Sequence, residues 1–147
     1  MADGLPDRIH LELVTPDRLV VRESVLAVSL PGAGGYLGIL PGHAPLLSEL
    51  KTGEVSYTLG TLTHYFFVSW GFAEVLADRV IVLAESSEKP EEIDVDRAER
   101  ARRRAEDHLK RSADGEIDAA RAQRALERAM TRLAVAQRRS AASVPQR

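Results

Sequence analysis

Residues 55–83 have the sequence VSYTLGTLTHYFFVSWGFAEVLADRVIVL, in which short segments rich in β-branched and aromatic side chains meet at tight turns. Gly60-Thr61 and Ala77-Asp78 are pairs suited to two-residue hairpin turns. The stretch predicts four antiparallel strands, joined in pairs: 55–59 with 62–68, and 72–76 with 79–83.

The chain before residue 55 has the same organisation. Strands are predicted at residues 9–13, 25–30 and 36–40, and turn residues such as Pro31-Gly32 separate them. Many short strands at similar spacing indicate an antiparallel sandwich or barrel, because each strand must bury one face against a second sheet.

The composition changes after residue 84. Residues 85–92 are polar and contain Pro90, which predicts a linker. From Asp94 there is no glycine or proline before Gly115, and good helix formers predominate, so helices are predicted at about 95–112 and 119–139 with a short turn between them. The predicted fold class is α+β, with these parts: an antiparallel β-sandwich (1–86), a linker (87–93), an antiparallel two-helix hairpin (94–140) and a disordered tail (141–147).

Charge divides the chain in the same way. Residues 1–93 carry 6 Lys and Arg against 13 Asp and Glu, whereas residues 94–147 carry 14 against 9. An acidic front and a basic back indicate two parts with different partners, or simply a well-solvated basic hairpin. The apolar stripe of the helices is mostly alanine, so the hairpin should be held weakly, as in a movable element or an ordinary amphipathic pair.

The sequence lacks the residues that several classes of function require. The chain has no cysteine, and its histidines show no metal-ligand spacing, so no metal site and no thiol chemistry are expected. No nucleophile and base are paired in a recognisable motif, so we expect no enzyme. We expect no signal peptide, no membrane-spanning segment and no nucleic-acid partner, so any membrane association would be indirect.

One short motif occurs at the start of both predicted helices. Ile93-Asp94 is followed by Arg97-Ala98, and the same Ile-Asp-x-x-Arg-Ala pattern begins at Ile117. Aspartate is a favoured N-cap, so the motif is in part a helix-opening signal. A ligand-binding role for the first copy remains an open alternative.

Arginines of both helices repeat at helical spacing. Arg97 and Arg104 share a face of the first helix, and Arg128 and Arg132 share a face of the second. If these faces meet on the closed hairpin, the arginine forks would suit phosphate oxygens and a nucleotide would be the natural ligand. Solvated arginines are the alternative.

The loop of residues 38–45, Gly-Ile-Leu-Pro-Gly-His-Ala-Pro, is held by glycines and prolines and carries no nucleophile beside His43. Together with Val14-Thr15-Pro16-Asp17, residues 71–75 and residues 128–133, this loop resembles the epsilon subunit of F-type ATP synthases, called delta in mitochondria. The resemblance covers nearly the whole chain. Two positions depart from the family pattern: Tyr36 stands where an acidic residue is frequent, and Trp70 where glycine is frequent.

The resemblance implies a ten-stranded sandwich and a non-catalytic subunit of the central stalk. Its implied partners are the gamma subunit, the ring of c subunits and the alpha and beta subunits of the catalytic head, at the cytoplasmic face of the bacterial plasma membrane. The implied contacts with gamma and the c ring are Tyr36, Leu40 and His43. A free-standing nucleotide-sensing module is the alternative.

The resemblance also implies regulation by the hairpin. An extended hairpin would inhibit ATP hydrolysis, with Arg121, Arg124 and Arg128 contacting the beta subunit. No cofactor is required, and ATP is the implied regulatory ligand of the folded hairpin. Its implied contacts are Glu88, Ile93, Asp94, Arg97, Ala98, Arg104, Arg128 and Arg132.

Overall fold

The computed structural model describes residues 4–112, Gly115 and residues 118–142, with side chains described as far as Arg139. Part of the turn predicted between the helices, and residues 143–147 of the predicted tail, lie outside the described residues. The strands are β1 (Ile9–Val14), β2 (Leu19–Val25), β3 (Ala27–Gly32), β4 (Gly35–Ile39), β5 (Leu46–Leu50), β6 (Gly53–Leu59), β7 (Leu62–Val75) and β8 (Arg79–Glu88). A 3-10 turn (Pro90–Glu92) precedes helices α1 (Val95–Ser112) and α2 (Ala119–Ala142).

The strands form the predicted sandwich. Hydrogen-bonded neighbours follow the order β2-β1-β8-β7-β5-β3-β4, and β6 pairs with β3 and β7. All pairs are antiparallel except β1 with β8. The described residues contain eight strands, so the ten implied by the resemblance are wrong for this chain. The fold class is confirmed.

Strand β7 is continuous, whereas the sequence predicted two separate strands in its place. Residues 62–68 pair with β6 and residues 71–75 pair with β5, while β8 keeps one register with residues 67–75. The strand changes partner at Trp70, which has a φ of 50°, and at Gly71. A left-handed conformation strains a non-glycine residue by about 1 kcal/mol. Glycine avoids this strain, which explains why it is frequent in the family at the position that Trp70 occupies here.

The sequence pattern predicts neither β2 nor β5, and it ends β8 too early. β2 was missed because Val20 and Val21 are both buried, which interrupts simple alternation. β5 lies between two proline- and glycine-containing loops and was also missed. Residues 85–88, predicted as linker, belong to β8, because residues 84, 86, 87 and 88 pair with β7.

The core of the sandwich is continuous. It consists of aliphatic side chains from both layers, joined by Tyr57 and Phe66, whose rings stack with centroids 5.7 Å apart. Burial, and to a lesser degree the charge of Glu23, raises the pKa of the Tyr57 hydroxyl. All buried members of this core lie between Ile9 and Ala84, so its packing is complete before the helices begin.

The hairpin unit comprises Lys89–Arg147, and the sandwich unit Met1–Glu88. Helices α1 and α2 begin as predicted and pack through alanines that repeat every seven residues, Ala98 and Ala105 on α1 and Ala122 and Ala129 on α2. The C-terminal part of α2 contacts the 3-10 turn that precedes α1, so the two helices are antiparallel. Alanine packing buries little apolar area per residue, and the half-buried Leu109, Leu126 and Leu133 add to it.

Candidate functional site

An exposed apolar row crosses the outer face of one layer of the sandwich. Val14 pairs with Leu19 on one side and with Leu83 on the other, and Leu83 pairs with Phe72. Directly paired residues project from the same face of a sheet. Leu19, Val14, Leu83 and Phe72 therefore form one row across four strands, which we call the apolar row.

The apolar row is accessible to solvent. Leu19, Phe72 and Leu83 are 45%, 44% and 55% exposed. Trp70 extends the row, because its ring meets that of Phe72 edge to face with centroids 5.6 Å apart. A cluster of large apolar side chains exposed on a sheet face marks an interaction surface.

Acidic side chains surround the apolar row. Glu49 pairs with Phe72 and so continues the row onto β5, while Glu74 and Glu85 follow two residues after Phe72 and Leu83. All three glutamates are exposed. The surface therefore has an apolar centre and a rim that is acidic at Glu49 and Glu85, whereas Glu74 is balanced by Arg79 at 3.9 Å. Such a surface favours a partner with an apolar strip and basic residues toward Glu49 and Glu85.

The three side chains predicted to contact partners lie elsewhere on the sandwich. Tyr36 and Leu40 are 62% and 64% exposed, and both project from the outward face of β4 and the residue that follows it. The Tyr36 hydroxyl accepts a hydrogen bond from the Glu54 amide. The ring Nδ1 of His43 lies 2.7 Å from the carbonyl oxygen of Ala44. Tyr36 and Leu40 are thus exposed, whereas His43 is half-buried.

Both copies of the Ile-Asp-x-x-Arg-Ala motif open a helix. The Asp94 carboxylate accepts a hydrogen bond from the Arg97 amide at 3.1 Å. The Asp118 carboxylate accepts two, from the amides of Ala120 and Arg121. The motif is therefore an N-cap at both positions, as its cap interpretation predicted.

Arginines precede the buried alanines of both helices. Arg97 and Arg104 stand one position before Ala98 and Ala105, and Arg121 and Arg128 one position before Ala122 and Ala129. One position is about 100° around a helix, so each arginine lies beside the packed face at the same angular offset. In an antiparallel pair, equal offsets fall on the same side of the hairpin.

These arginines, with Arg132 and Arg139, form what we call the arginine flank. Arg132 is three residues after the buried Ala129, which returns it to the same side, and Arg139 is 18 residues, or about five turns, after Arg121. By these offsets Arg97, Arg104, Arg128 and Arg132 share one side of the hairpin, and their binding of a nucleotide stays a prediction. Within the described part of the chain, Arg97 and Arg104 form no salt bridge.

The opposite side of α1 is electrically balanced. Arg102 forms salt bridges with Glu99 at 2.8 Å and Glu106 at 3.6 Å. The hydrogen bond and charge of Glu99, with the charge of Glu106, raise the pKa of the Arg102 guanidinium. Arg100, Arg103 and Lys110 form no described salt bridge either, so the unpaired positive charge of α1 covers the arginine flank and the outer face of the helix, and both can attract an anion.

Other predicted ligand contacts are less accessible. Ile93 and Ala98 are only 4% and 3% exposed, so their side chains pack inside the hairpin unit. Glu88 is the last residue of β8 and belongs to the sandwich unit. Of the residues predicted to contact the beta subunit, Arg121 and Arg124 are exposed, whereas Arg128 is half-buried.

Arg139 makes a contact that the sequence did not predict. Its guanidinium donates to the carbonyl oxygen of Pro90 and lies 3.5 Å from that of Ile93. Val135, one turn earlier, is fully buried. No local pattern marks this contact, because its two sides are separated by 46 residues or more.

Neither a metal centre nor a membrane span is present among the residues that the structure describes. No three His, Asp or Glu side chains in that part of the chain are grouped to hold a metal ion. Neither α1 nor α2, as far as they are described, is long and apolar enough to cross a membrane.

An exposed apolar sheet face and a cationic hairpin flank give the protein two separate surfaces of the kind that binding proteins use. Residues 8–90 match the family described as ATP synthase, Delta/Epsilon chain, beta-sandwich domain, and residues 91–137 match its long alpha-helix domain. The chain therefore belongs to the delta/epsilon family of ATP synthase subunits, as the resemblance implied. It is a non-catalytic subunit.

Bacterial relatives are similar over most of the chain. The ATP synthase epsilon chain of Koribacter versatilis is 56% identical over 108 residues, which are 74% of this chain and 76% of the relative. That of Nitratidesulfovibrio vulgaris (strain DP4) is 50% identical over 127 residues, 86% of this chain and 94% of the relative. That of Solibacter usitatus is 46% identical over 135 residues, 92% and 100% of the two chains.

Solved structures share the fold. A chain of the Euglena gracilis mitochondrial ATP synthase, in a structure of its OSCP, F1 and c-ring, matches with a TM-score of 0.69 at 23% identity, covering 97% of this chain and 85% of that one. A chain from the central stalk and c-ring of the Tetrahymena thermophila mitochondrial enzyme matches with a TM-score of 0.55 at 12% identity, covering 90% and 96%.

Proposed function

We propose that this chain is a central-stalk subunit of a bacterial F-type ATP synthase. Its sandwich holds the gamma subunit and meets the c ring, so that rotation of the ring reaches the alpha and beta subunits of the head. The apolar row is the observation that carries this proposal. Large apolar side chains exposed on a sheet are stabilised when a partner removes them from water. The complex would lie at the cytoplasmic face of the plasma membrane.

Leu83→Glu should prevent assembly without unfolding the sandwich. Leu83 lies at the centre of the apolar row and is 55% exposed, so a carboxylate there stays hydrated in the free protein. In the complex it would be buried without a partner beside the acidic rim. Affinity for purified gamma subunit should fall by about 100-fold or more, measured by calorimetry, with the melting temperature as the check on folding.

Leu62→Glu is the matched control. Leu62 is also 55% exposed and is also a β-strand leucine, but it lies at the β6–β7 turn, outside the apolar row. Its substitution should leave gamma binding within about threefold of the parent. Equal losses from the two variants would contradict docking through the apolar row.

We infer that the folded hairpin binds ATP on the arginine flank. The argument rests on Arg97, Arg104, Arg128 and Arg132, which lie on one side of an antiparallel pair and can meet one triphosphate only while the helices are packed. Asp94 and the backbone beside it lie at the linker end of the same hairpin. Because Ile93 and Ala98 are buried, they would shape the site from beneath rather than cover the adenine.

If ATP binds the closed hairpin and not the open one, it stabilises the closed form. ATP at 100 times its dissociation constant adds about 2.7 kcal/mol to the state that binds it. That free energy is large beside the contribution of alanine packing. ATP would therefore hold the hairpin closed, and its loss would release the helices.

Arg128→Ala should weaken ATP binding by about 30-fold, because a charge-assisted hydrogen bond to phosphate is lost. Calorimetric titration of the full chain measures this change. Arg121→Ala is the control, since Arg121 shares the arginine flank but lies seven residues, or about 10 Å along the helix, toward the turn. No heat from the parent chain at millimolar ATP would contradict the site.

We also infer that the extended hairpin inhibits ATP hydrolysis through its positive charge. Arg121 and Arg124 are exposed and Arg128 is half-buried in the closed form. Extension would expose all three to the beta subunit, in which the family resemblance implies an acidic segment near the stalk. Charge pairs in a partly buried interface are worth more than surface pairs, so these arginines suit an inhibitory contact.

A further inference from the structure

The C-terminal part of α2 contacts residues 90–93, the segment that begins the hairpin. The Arg139 guanidinium donates to the carbonyl oxygen of Pro90 and lies 3.5 Å from that of Ile93. The Pro90 carbonyl also accepts the Ile93 amide at 3.3 Å. A guanidinium has donors only and stays charged at any physiological pH, so two converging carbonyl oxygens are suitable partners for it.

An apolar contact accompanies this polar one. Val135 is 0% exposed although it lies to the side of the alanine-packed face of α2. The 3-10 turn contacts α2, and the hydrogen bonds of Arg139, one turn after Val135, place that contact at this end of the helix. Ile93, at the end of the turn, is 4% exposed. The bulkiest of the buried side chains described in the hairpin unit therefore lie at its linker end.

Elsewhere the fully buried positions of the described helices carry small side chains. The other buried positions of the unit are Ala98, Ala105, Ala122 and Ala129. Burial of a valine side chain contributes more than burial of an alanine methyl group, because the contribution follows the apolar area removed from water. Ile93 and Val135 thus add buried apolar side chains where α2 meets residues 90–93, beside the half-buried Leu109, Leu126 and Leu133 along the rest of the helices.

We propose that Val135 and Arg139, packed against residues 90–93, form a clamp that sets the balance between the closed and the open hairpin. Opening α2 must separate Arg139 from both carbonyl oxygens and expose Val135. The clamp acts on the closed state alone and needs no ligand. Its effect on hydrolysis rests on the proposed inhibitory function, whereas its effect on hairpin closure does not.

Spin labels measure closure directly in the full chain. The chain contains no cysteine, so Arg103→Cys and Gln137→Cys provide two unique attachment points on exposed positions of α1 and α2. Pulsed electron resonance then gives the distance distribution between the helices. Arg139→Ala should raise the ratio of open to closed molecules about fivefold, and Val135→Ala about tenfold.

Arg121→Ala is the matched control for closure. Arg121 has the same residue type and the same angular position on α2 as Arg139, about five turns away. Its described side chain makes no contact with the 3-10 turn, and both substitutions introduce the best helix former. If Arg139→Ala changes the distance distribution no more than Arg121→Ala does, the clamp is overturned.

A measurement of ATP hydrolysis by the reassembled enzyme tests the clamp and the proposed inhibitory function separately. Arg139→Ala should lower ATP hydrolysis, because more hairpins are open, whereas Arg121→Ala should raise it, because an inhibitory contact is lost. Opposite signs support both ideas. If the distances change as expected while hydrolysis does not, the clamp stands and the inhibitory function is overturned.

Discussion

Gly71→Ala is expected to prevent the sandwich from folding. A Cβ atom at this position would stand 2.0 Å from the carbonyl oxygen of Leu83 and 2.9 Å from the Cα of Ala84. Both atoms belong to the backbone of β8, which cannot move without separating the central strands. Overpacking in a core destabilises a protein by about 1–3 kcal/mol even when side chains can adjust. Here the clashing atoms belong to the backbone, so no movement of a side chain relieves the clash. A destabilisation at or above that range is a large part of the free energy of unfolding, which is about 5–15 kcal/mol for a typical protein.

Thermal denaturation followed by circular dichroism measures this effect. The variant should show no cooperative transition, or a midpoint lowered by more than about 10 °C. Gly34→Ala is the control, because nothing lies within 4 Å of a Cβ at Gly34 and its backbone requires no positive φ. Midpoints within a few degrees of each other for the two variants would contradict the steric argument.

The crossing point at residues 70–71 shows what the sequence could not predict. The turns Gly60-Thr61 and Ala77-Asp78 were predicted correctly because hairpin turns depend on the residues that form them. The continuity of β7 depends instead on β8, which lies beside it and spans the change of partner. A tryptophan with a positive φ is imposed by those long-range pairings, and no local propensity predicts it.

The candidate sites divide in the same way. Helical spacing alone predicted that Arg97 and Arg104 share a face, because that relation belongs to one helix. The apolar row was not predicted, since Leu19, Leu83 and Phe72 come together only through strand register. The contact of Arg139 with residues 90–93 likewise needs the closed hairpin. Sequence thus indicates which residues carry charge or apolar surface, and the fold decides which of them meet.

A chain of residues 1–89 should fold, enter the ATP synthase and lose every regulatory property of the hairpin. The sandwich core ends at Ala84 and its last strand at Glu88, so the truncation removes none of its buried members. The apolar row also lies wholly within these residues. Gamma binding should therefore stay within about threefold of the full chain, while ATP binding, which depends on Arg128 and Arg132, should disappear. The melting temperature and calorimetry with gamma and with ATP measure these results.

Hydrolysis by the reassembled enzyme completes the comparison. If the extended hairpin inhibits, the enzyme that contains residues 1–89 should hydrolyse ATP severalfold faster than the parent, because no helix can reach the head. The full chain with Arg121, Arg124 and Arg128 changed to alanine is the sharper control, since it keeps both helices. It should approach the rate of the truncated form. Because Arg128 is also a proposed ATP contact, the chain with only Arg121 and Arg124 changed separates loss of the inhibitory charge from loss of ATP binding. A fast truncated enzyme beside a triple variant as slow as the parent would show that inhibition depends on the bulk of the helices and not on these arginines. A truncated chain that fails to bind gamma would contradict the division into two units, because the apolar row would then need the hairpin to act.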